Sequence, residues 1–280
     1  MWTLWGVVVH RRFQFGMKTL LALMLTIGAG FGWLGITFQR TRDQRAATAV
    51  LASRGARAMH LGQYELGLQS FLGVGHYFQD VVQVDFEDPS LTVDADLAQL
   101  NVFRTRLERL SVHGQRVTDA GLEHLKGLTN LKDVSLIQTQ VSDAGLVHLR
   151  GLTNLERLTL YSTSVSGRGL AHLTRLEKLE NLNLNSSKVN DVGLSHVVRI
   201  ANIKSLSLDR TQVTDAGLAH LAGLGNLERL DVAFTGVSDA GLVHLKGLKK
   251  LRRLRLDGTA VTDLGAEELQ ESLPNLVISR

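Results

Sequence analysis

From about residue 107 to the end, the apolar residues fall on a fixed lattice. Leu131, Val134 and Leu136 give an L-x-x-L-x-L spacing, and Leu155, Leu158 and Leu160 repeat it one period later. The x-L-x-L alternation has the period of a strand with one buried face. Further along each unit, Leu122, Leu125 and Leu128 recur at three-residue spacing, which makes one apolar stripe on a short helix. Between the two patterns stands a hexapeptide. VTDAGL at Val117 to Leu122 returns with small changes at Val141, Val165, Val189, Val213, Val237 and Val261, always at the same interval (141 − 117 = 24) and with no slip. A fixed period of this size predicts a solenoid, in which no unit buries its apolar face until a neighbour stacks on it.

Polar landmarks repeat in phase with the apolar ones. A small hydroxyl, Thr139, Thr163, Ser187, Thr211, Thr235 or Thr259, marks the bend after each strand, with Gln115 in the first unit. Such a residue predicts side-chain hydrogen bonds to turn backbone. After each repeat valine comes Thr118, Ser142, Ser166, Asn190, Thr214, Ser238 or Thr262, all good helix N-caps. Asp follows in six of the seven, where a carboxylate suits the positive end of a helix dipole. Gly121 and its equivalents sit inside that first turn, at a cost of roughly 1 kcal/mol against alanine, so a close approach of a neighbour is expected there.

The pattern resembles a leucine-rich repeat, and its TDAGLxxL half is similar to the cysteine-containing subfamily, with Thr where that subfamily carries Cys or Asn. The resemblance covers about residues 81–280. It implies an α/β fold: a right-handed solenoid with a concave parallel β-sheet and short convex helices. Val81, Val84 and Phe86 match the strand spacing, with Leu97, Leu100 and Phe103 on the following helix, so 81–106 reads as a degenerate first unit. Regular units run over 107–273, and Pro274-Asn275-Leu276 opens a C-terminal cap at 274–280.

The N-terminal part is of another kind. Residues 1–60 hold eight Lys/Arg and one acid, a balance of +7, while the remainder carries 31 − 8 = 23 bases against 27 − 1 = 26 acids, or −3. The basic charge is local to the N-terminus, and no nucleic-acid footprint is expected on the repeats. After a basic segment, 1–18, the 20 residues Thr19–Phe38 carry no charge and suit a transmembrane helix. The alternative is a cleaved signal peptide with Leu20–Ile27 as its apolar region. Three basic residues before the span and five after it predict a single-pass membrane protein with a cytoplasmic repeat domain. Gly28 and Gly32 form a G-x-x-x-G that allows weak self-association. Residues 39–80 are expected to form a juxtamembrane helix and the cap of the first unit. The leader and the basic stretch QRTRDQRAA also resemble membrane-anchored bacterial leucine-rich-repeat proteins.

Chemistry is sparse. There is no Cys, which excludes disulfides and thiol catalysis, and no nucleophile elbow, phosphate loop or HExxH is present. His124, His148, His172, His196, His220 and His244 occupy one position in six units, with Glu268 in the seventh. Their place on the flank of the leucine stripe is read as packing, so neither metal nor cofactor is expected. The variable positions lie on the outward side of the strands, in three columns. The first holds Arg109, Asp133, Arg157, Asn181, Ser205, Arg229 and Arg253. The second holds Ser111, Ser135, Thr159, Asn183, Ser207, Asp231 and Arg255. The third holds His113, Ile137, Tyr161, Asn185, Asp209, Ala233 and Asp257, with Arg210 and Phe234 just beyond. Aromatic and arginine residues dominate binding hot spots, so Tyr161 with Ile137 and Arg157 is the expected anchor and Arg210–Phe234 the next choice. The reading is a non-enzymatic, membrane-tethered solenoid that presents this face to a partner protein. Glycan binding, self-association in an envelope and service as an accessory module of an enzyme are the alternatives.

Overall fold

A computed structural model describes residues 36, 39, 40, 42–60 and 81–280. The expected span Thr19–Phe38 lies, apart from Ile36, outside the described residues, as do the 1–18 segment, Gly28 and Gly32. Among the described residues no helix is long and apolar enough to cross a membrane. The chain divides at Arg45/Ala46 into two units. Of the first, the described residues 36, 39, 40 and 42–45 are helical, with the Gln39 amide donating to Asp43 over 3.1 Å.

The second unit, Ala46–Arg280, is built on one ten-stranded sheet whose spatial order is its sequence order. Its strands are β1 (Ala56–His60), β2 (Val81–Phe86), β3 (Arg109–His113), β4 (Asp133–Ile137), β5 (Arg157–Thr159), β6 (Asn181–Asn183), β7 (Ser205–Ser207), β8 (Arg229–Asp231), β9 (Arg253–Arg255) and β10 (Val277–Ser279). From β2 onward all pairs are parallel, and from β3 onward partners stand one repeat apart, as in Leu158↔Leu182 and Leu206↔Leu230. β1 runs antiparallel to β2. Over residues 39–80 the sequence predicts a juxtamembrane helix followed by a cap of the first unit, and names no strand. Helix is present through 46–53, where it buries Ala47 and Leu51, but the chain then turns at Gly55 into an unanticipated strand.

Each unit delivers its apolar lattice to a continuous core. Leu131, Val134, Leu136, Val141, Leu146, Leu149 and Leu152 are fully buried, and the same positions are buried in the neighbouring units. The helical side is short: single α-helical turns such as Asp119–Leu122 and Asp239–Leu242, 3₁₀ turns such as Gly145–Leu149, and longer helices at Asp191–Val197, Asp215–Leu221 and Asp263–Ser272.

What joins one unit to the next is the aspartate of the hexapeptide. Its carboxylate does not simply face its own helix dipole. Asp119 accepts from the backbone N–H of Ser142 at 2.7 Å and from its hydroxyl at 2.6 Å. Asp94 holds Thr118, Asp191 holds Thr214, Asp215 holds Ser238 and Asp239 holds Thr262 in the same two-pronged way. This geometry explains the glycine. A Cβ on Gly145 would collide with the Asp119 carboxylate, and one on Gly265 with that of Asp239. The one hexapeptide that lacks the acid, VSGRGL, has Gly167 in its place, in a left-handed conformation (φ 106°), and its backbone meets that of Gly193 directly. Asn190, deprived of a carboxylate from the preceding unit, turns its side chain to cap its own helix at Gly193 N (3.2 Å). Asp143, on the other side of this seam, gathers the amides of Ser166, Gly167 and Gly169 at 3.2, 3.1 and 3.0 Å.

Other ladders reinforce the stack. Backbone bonds run along the helical side from Gln140 N to Val117 O, Ser164 N to Val141 O and Lys188 N to Val165 O, each within 2.9 Å. In the return loops, the side-chain amides of Asn130, Asn154, Asn202 and Asn226 each donate to a carbonyl of the preceding unit. Buried hydroxyls do as expected at most of the bends: Thr163, Ser187, Thr211 and Thr235 each donate to the carbonyl three residues back, whereas the buried Thr139 hydroxyl has no hydrogen-bond partner among the described residues.

Two outcomes follow from the aspartate links. Gly145→Ala should destabilise the protein by about 2 kcal/mol through overpacking, and Asp119→Ala should also destabilise it. In the double variant the new methyl no longer meets the carboxylate, so the two effects should fall short of additive by at least about 1 kcal/mol in a denaturation cycle; simple additivity would refute the contact. The second outcome concerns acid. The Thr262 hydroxyl, and then its N–H, bond the ionised form of Asp239 and hold its carboxyl below the ordinary value. A depressed folded-state value contributes stability that is present above the unfolded value of about 3.9 and is lost as pH falls through the folded one. Urea unfolding followed from pH 5 towards acid should therefore show a shallower loss for Asp239→Asn than for the parent.

Candidate functional site

The concave face is assembled by sheet register. Arg109, Asp133, Arg157, Asn181, Ser205, Arg229 and Arg253 stand opposite one another along successive strands, and so do Ser111, Ser135, Thr159, Asn183, Ser207, Asp231 and Arg255. Parallel strands lie about 4.8 Å apart, so each column is a rigid row of side chains. The first two columns line an open groove of about 630 Å³ between Gln83 and Ser207. A second hollow of about 300 Å³ continues over Arg229, Asp231, Arg253 and Arg255.

Within the rows, charges are mostly answered. Arg157 bonds Asp133 at 2.9 Å, and Arg109 reaches Gln83 at 3.4 Å. Arg255 lies between Asp257 (2.7 Å) and Asp231 (3.3 Å), and these carboxylates, Asp257 foremost, raise its pKa above the usual arginine value. Two of the three asparagines turn a side-chain oxygen to backbone: Asn183 accepts from Asn185 N at 2.9 Å, and Asn185 from Asp209 N of the next unit at 2.8 Å. Asn181 is half-buried in the groove wall.

The third column departs from expectation. β5 to β9 are only three residues long, so their third-column residues stand in the turn that follows and not on the flat of the sheet. Ile137 and Tyr161 are half-buried, while Asp209 (6% exposed) and Ala233 (0%) are withdrawn from solvent. Asp209 keeps one carboxylate oxygen buried without a hydrogen-bond partner and turns the other to Arg210 at 3.2 Å.

Just beyond this column is a feature that the hydrophobic pattern does not announce. Gln138, Ser162, Ser186, Arg210 and Phe234 all have φ between 52° and 56°, and Gly258 follows at 65°. A left-handed conformation costs a non-glycine residue roughly 1 kcal/mol. It is imposed here because each of these amides donates to the next unit: Gln138 N to Tyr161 O, Ser162 N to Asn185 O, Ser186 N to Asp209 O, Arg210 N to Ala233 O and Phe234 N to Asp257 O. The same row brings side chains into line. The Arg210 guanidinium lies 4.6 Å from the centre of the Phe234 ring, a cation–π contact worth about 0.5 kcal/mol at an exposed site. The ring in turn covers Gly258, where a Cβ would strike it. Phe234 remains 46% exposed, so the rim of the groove carries a fixed, half-open aromatic.

The histidine row lies on the other flank. His124, His148, His196 and His244 are half-buried and His172 and His220 exposed. Among the described residues no group of three or more His, Asp or Glu is placed to hold a metal ion.

This architecture, a parallel sheet of equal stacked units with a helical convex side, is the fold of a leucine-rich-repeat protein. Among solved structures, the chain is similar to the crystal structure of an internalin C2 from Listeria monocytogenes, with a TM-score of 0.57, 24% sequence identity, 71% of this chain covered and 80% of that one. No protein-family model and no curated protein matches the chain.

The left-handed row offers a direct check. Among the described residues Ser186 makes no side-chain hydrogen bond that glycine would forfeit, so Ser186→Gly should relieve strain and raise stability by up to about 1 kcal/mol, read as a higher melting temperature. A lower one would show that the conformation is unstrained.

Proposed function

We propose that the chain is a non-enzymatic binding protein that holds its concave face out to a partner protein and is tethered to a membrane by its N-terminal segment. The observation that carries the binding reading is the contrast between the two sides of one strand. Inward positions are uniformly apolar and buried, while the outward positions beside them range over Arg, Asp, Asn, Ser and Thr on a fixed lattice. Solenoids use such concave surfaces for extended binding. The tether rests on the uncharged run Thr19–Phe38, and the excess of basic residues after it favours a cytoplasmic repeat domain. Carbonate extraction tests the tether; recovery of mature protein cleaved near Gly30 in the soluble fraction would replace it with a signal peptide.

Arg157 is occupied by Asp133, which leaves Tyr161 with Ile137 as the expected anchor in the N-terminal half and Phe234 on Arg210 as the anchor in the other half. With a partner captured by the full chain, Tyr161→Ala or Phe234→Ala should weaken binding by about 2 kcal/mol, near thirty-fold, as hot-spot truncations do. Glu123→Ala, on the convex side where its carboxylate meets Lys126, should change nothing. Equal loss from Glu123→Ala would signal general destabilisation, and no loss from either aromatic would move the site off this face.

A further inference from the structure

The arginines of the concave strands are not equivalent. Arg109 has Gln83, Arg157 has Asp133, and Arg255 has both Asp231 and Asp257. Arg229 and Arg253 are the exception: neither has a side-chain partner among the described residues. They are exposed, and they stand directly opposite each other on β8 and β9. Like charges in register across two strands oppose each other. The nearby carboxylate that could separate them, Asp231, is turned to Arg255 instead. The fold therefore keeps two uncompensated guanidinium groups side by side at the C-terminal end of the groove, over the hollow of about 300 Å³.

We propose that Arg229 and Arg253 form the seat for an acidic segment of the partner polypeptide. This rests on the reading that the concave face binds a protein, and it adds the chemistry of what is bound. Two guanidinium forks borne on strands about 4.8 Å apart match one or two carboxylates, each able to accept a paired hydrogen bond. Two other sources of negative charge suit the site less well. A polyphosphate chain needs a basic stripe along the domain, whereas residues 61–280 carry 26 acids against 23 bases and the groove towards β2 is lined by Asp85, Glu87 and Asp133. A lipid surface is flat and does not enter a concave groove. Beside the arginine pair, Ser205 and Ser207 supply hydroxyls, so an extended acidic peptide finds uncharged hydrogen-bonding groups next to its anchor.

The test uses the full chain and a fluorescent hexaglutamate peptide, with anisotropy read at low salt. Arg229→Gln/Arg253→Gln should weaken binding at least about ten-fold. Arg168→Gln/Arg175→Gln, an exposed pair from the helical side that removes the same charge, should change it less than about two-fold. Thermal melting supplies an independent readout, because relieving the opposed charges should leave the melting temperature of the groove variant unchanged or higher. Equal losses from the two variants, no binding by the parent protein, or a lowered melting temperature in the groove variant would each overturn the proposal. So would displacement of the peptide by a lower concentration of a charge-matched oligonucleotide. None of these outcomes touches the protein-binding reading itself, which stands or falls on Tyr161 and Phe234.

Discussion

The aspartate that opens each convex turn belongs chemically to the unit that follows it. Its two oxygens fix both the N–H and the hydroxyl of the next N-cap, so the helix start of one unit is set by the unit before. Because this is a two-point contact, it fixes orientation as well as distance. It demands glycine two positions beyond the aspartate's equivalent in the next unit, since any Cβ there would occupy the carboxylate's space. With the convex side locked at this spacing and the sheet locked by strand pairing, the leucines between them have one way to stack. The concave columns inherit their register from the same constraint.

That rigidity lets the molecule hold arrangements that would not persist in a looser chain. Five consecutive units carry a non-glycine residue in the left-handed region, and each is held there by an amide bonded to the neighbouring unit. Strain of this kind survives only where the surroundings over-determine it. One result is the Phe234 ring, raised at the groove rim between Arg210 and Gly258. The opposed pair Arg229 and Arg253 is a second case: parallel strands in fixed register keep like charges adjacent that mobile side chains on separate segments would avoid.

Much of this is legible in the sequence, and the parts that are not share a cause. The period, the core leucines and most of the bend hydroxyls are signalled by local spacing, and local spacing dictates them. Read locally, the aspartate pairs with its own helix dipole, because its true partner lies a whole repeat away along the chain. Even so, the sequence holds a clue: the hexapeptide with Gly167 in place of Asp is followed by the only unit whose cap is Asn, not Ser or Thr. A donor hydroxyl is found only where a carboxylate precedes it. β1 gives no comparable sign. Ala-Arg-Ala-Met-His has no strand-like alternation of large apolar residues, and its place is fixed by pairing with β2. The third concave column resembles the other two in sequence only when alternation is extended past the point where the strands stop. Asp209 and Ala233 lie in the bend, where outward and inward no longer alternate.

The missing aspartate also shapes the face. At the Gly167–Gly193 seam the units meet backbone to backbone with no carboxylate between them. β5, with Arg157 and Tyr161 beyond it, lies on one side of that seam, and β7 to β9 lie on the other. The concave surface across from the seam holds the uncharged run Asn181, Asn183, Ser205 and Ser207. Answered charge stands at both ends, in Asp133 with Arg157 and in Arg255 with Asp231 and Asp257, while the unanswered arginines of the concave strands, Arg229 and Arg253, are both at the C-terminal end. In the proposed binding mode a ligand lying along the groove would meet a neutral middle that contributes contact and hydrogen bonds, with its orientation set at the basic end. In the proposed binding mode, electrostatic complementarity of this kind sets register and encounter rate more than total affinity, and affinity falls to the half-buried Tyr161 and the half-open Phe234.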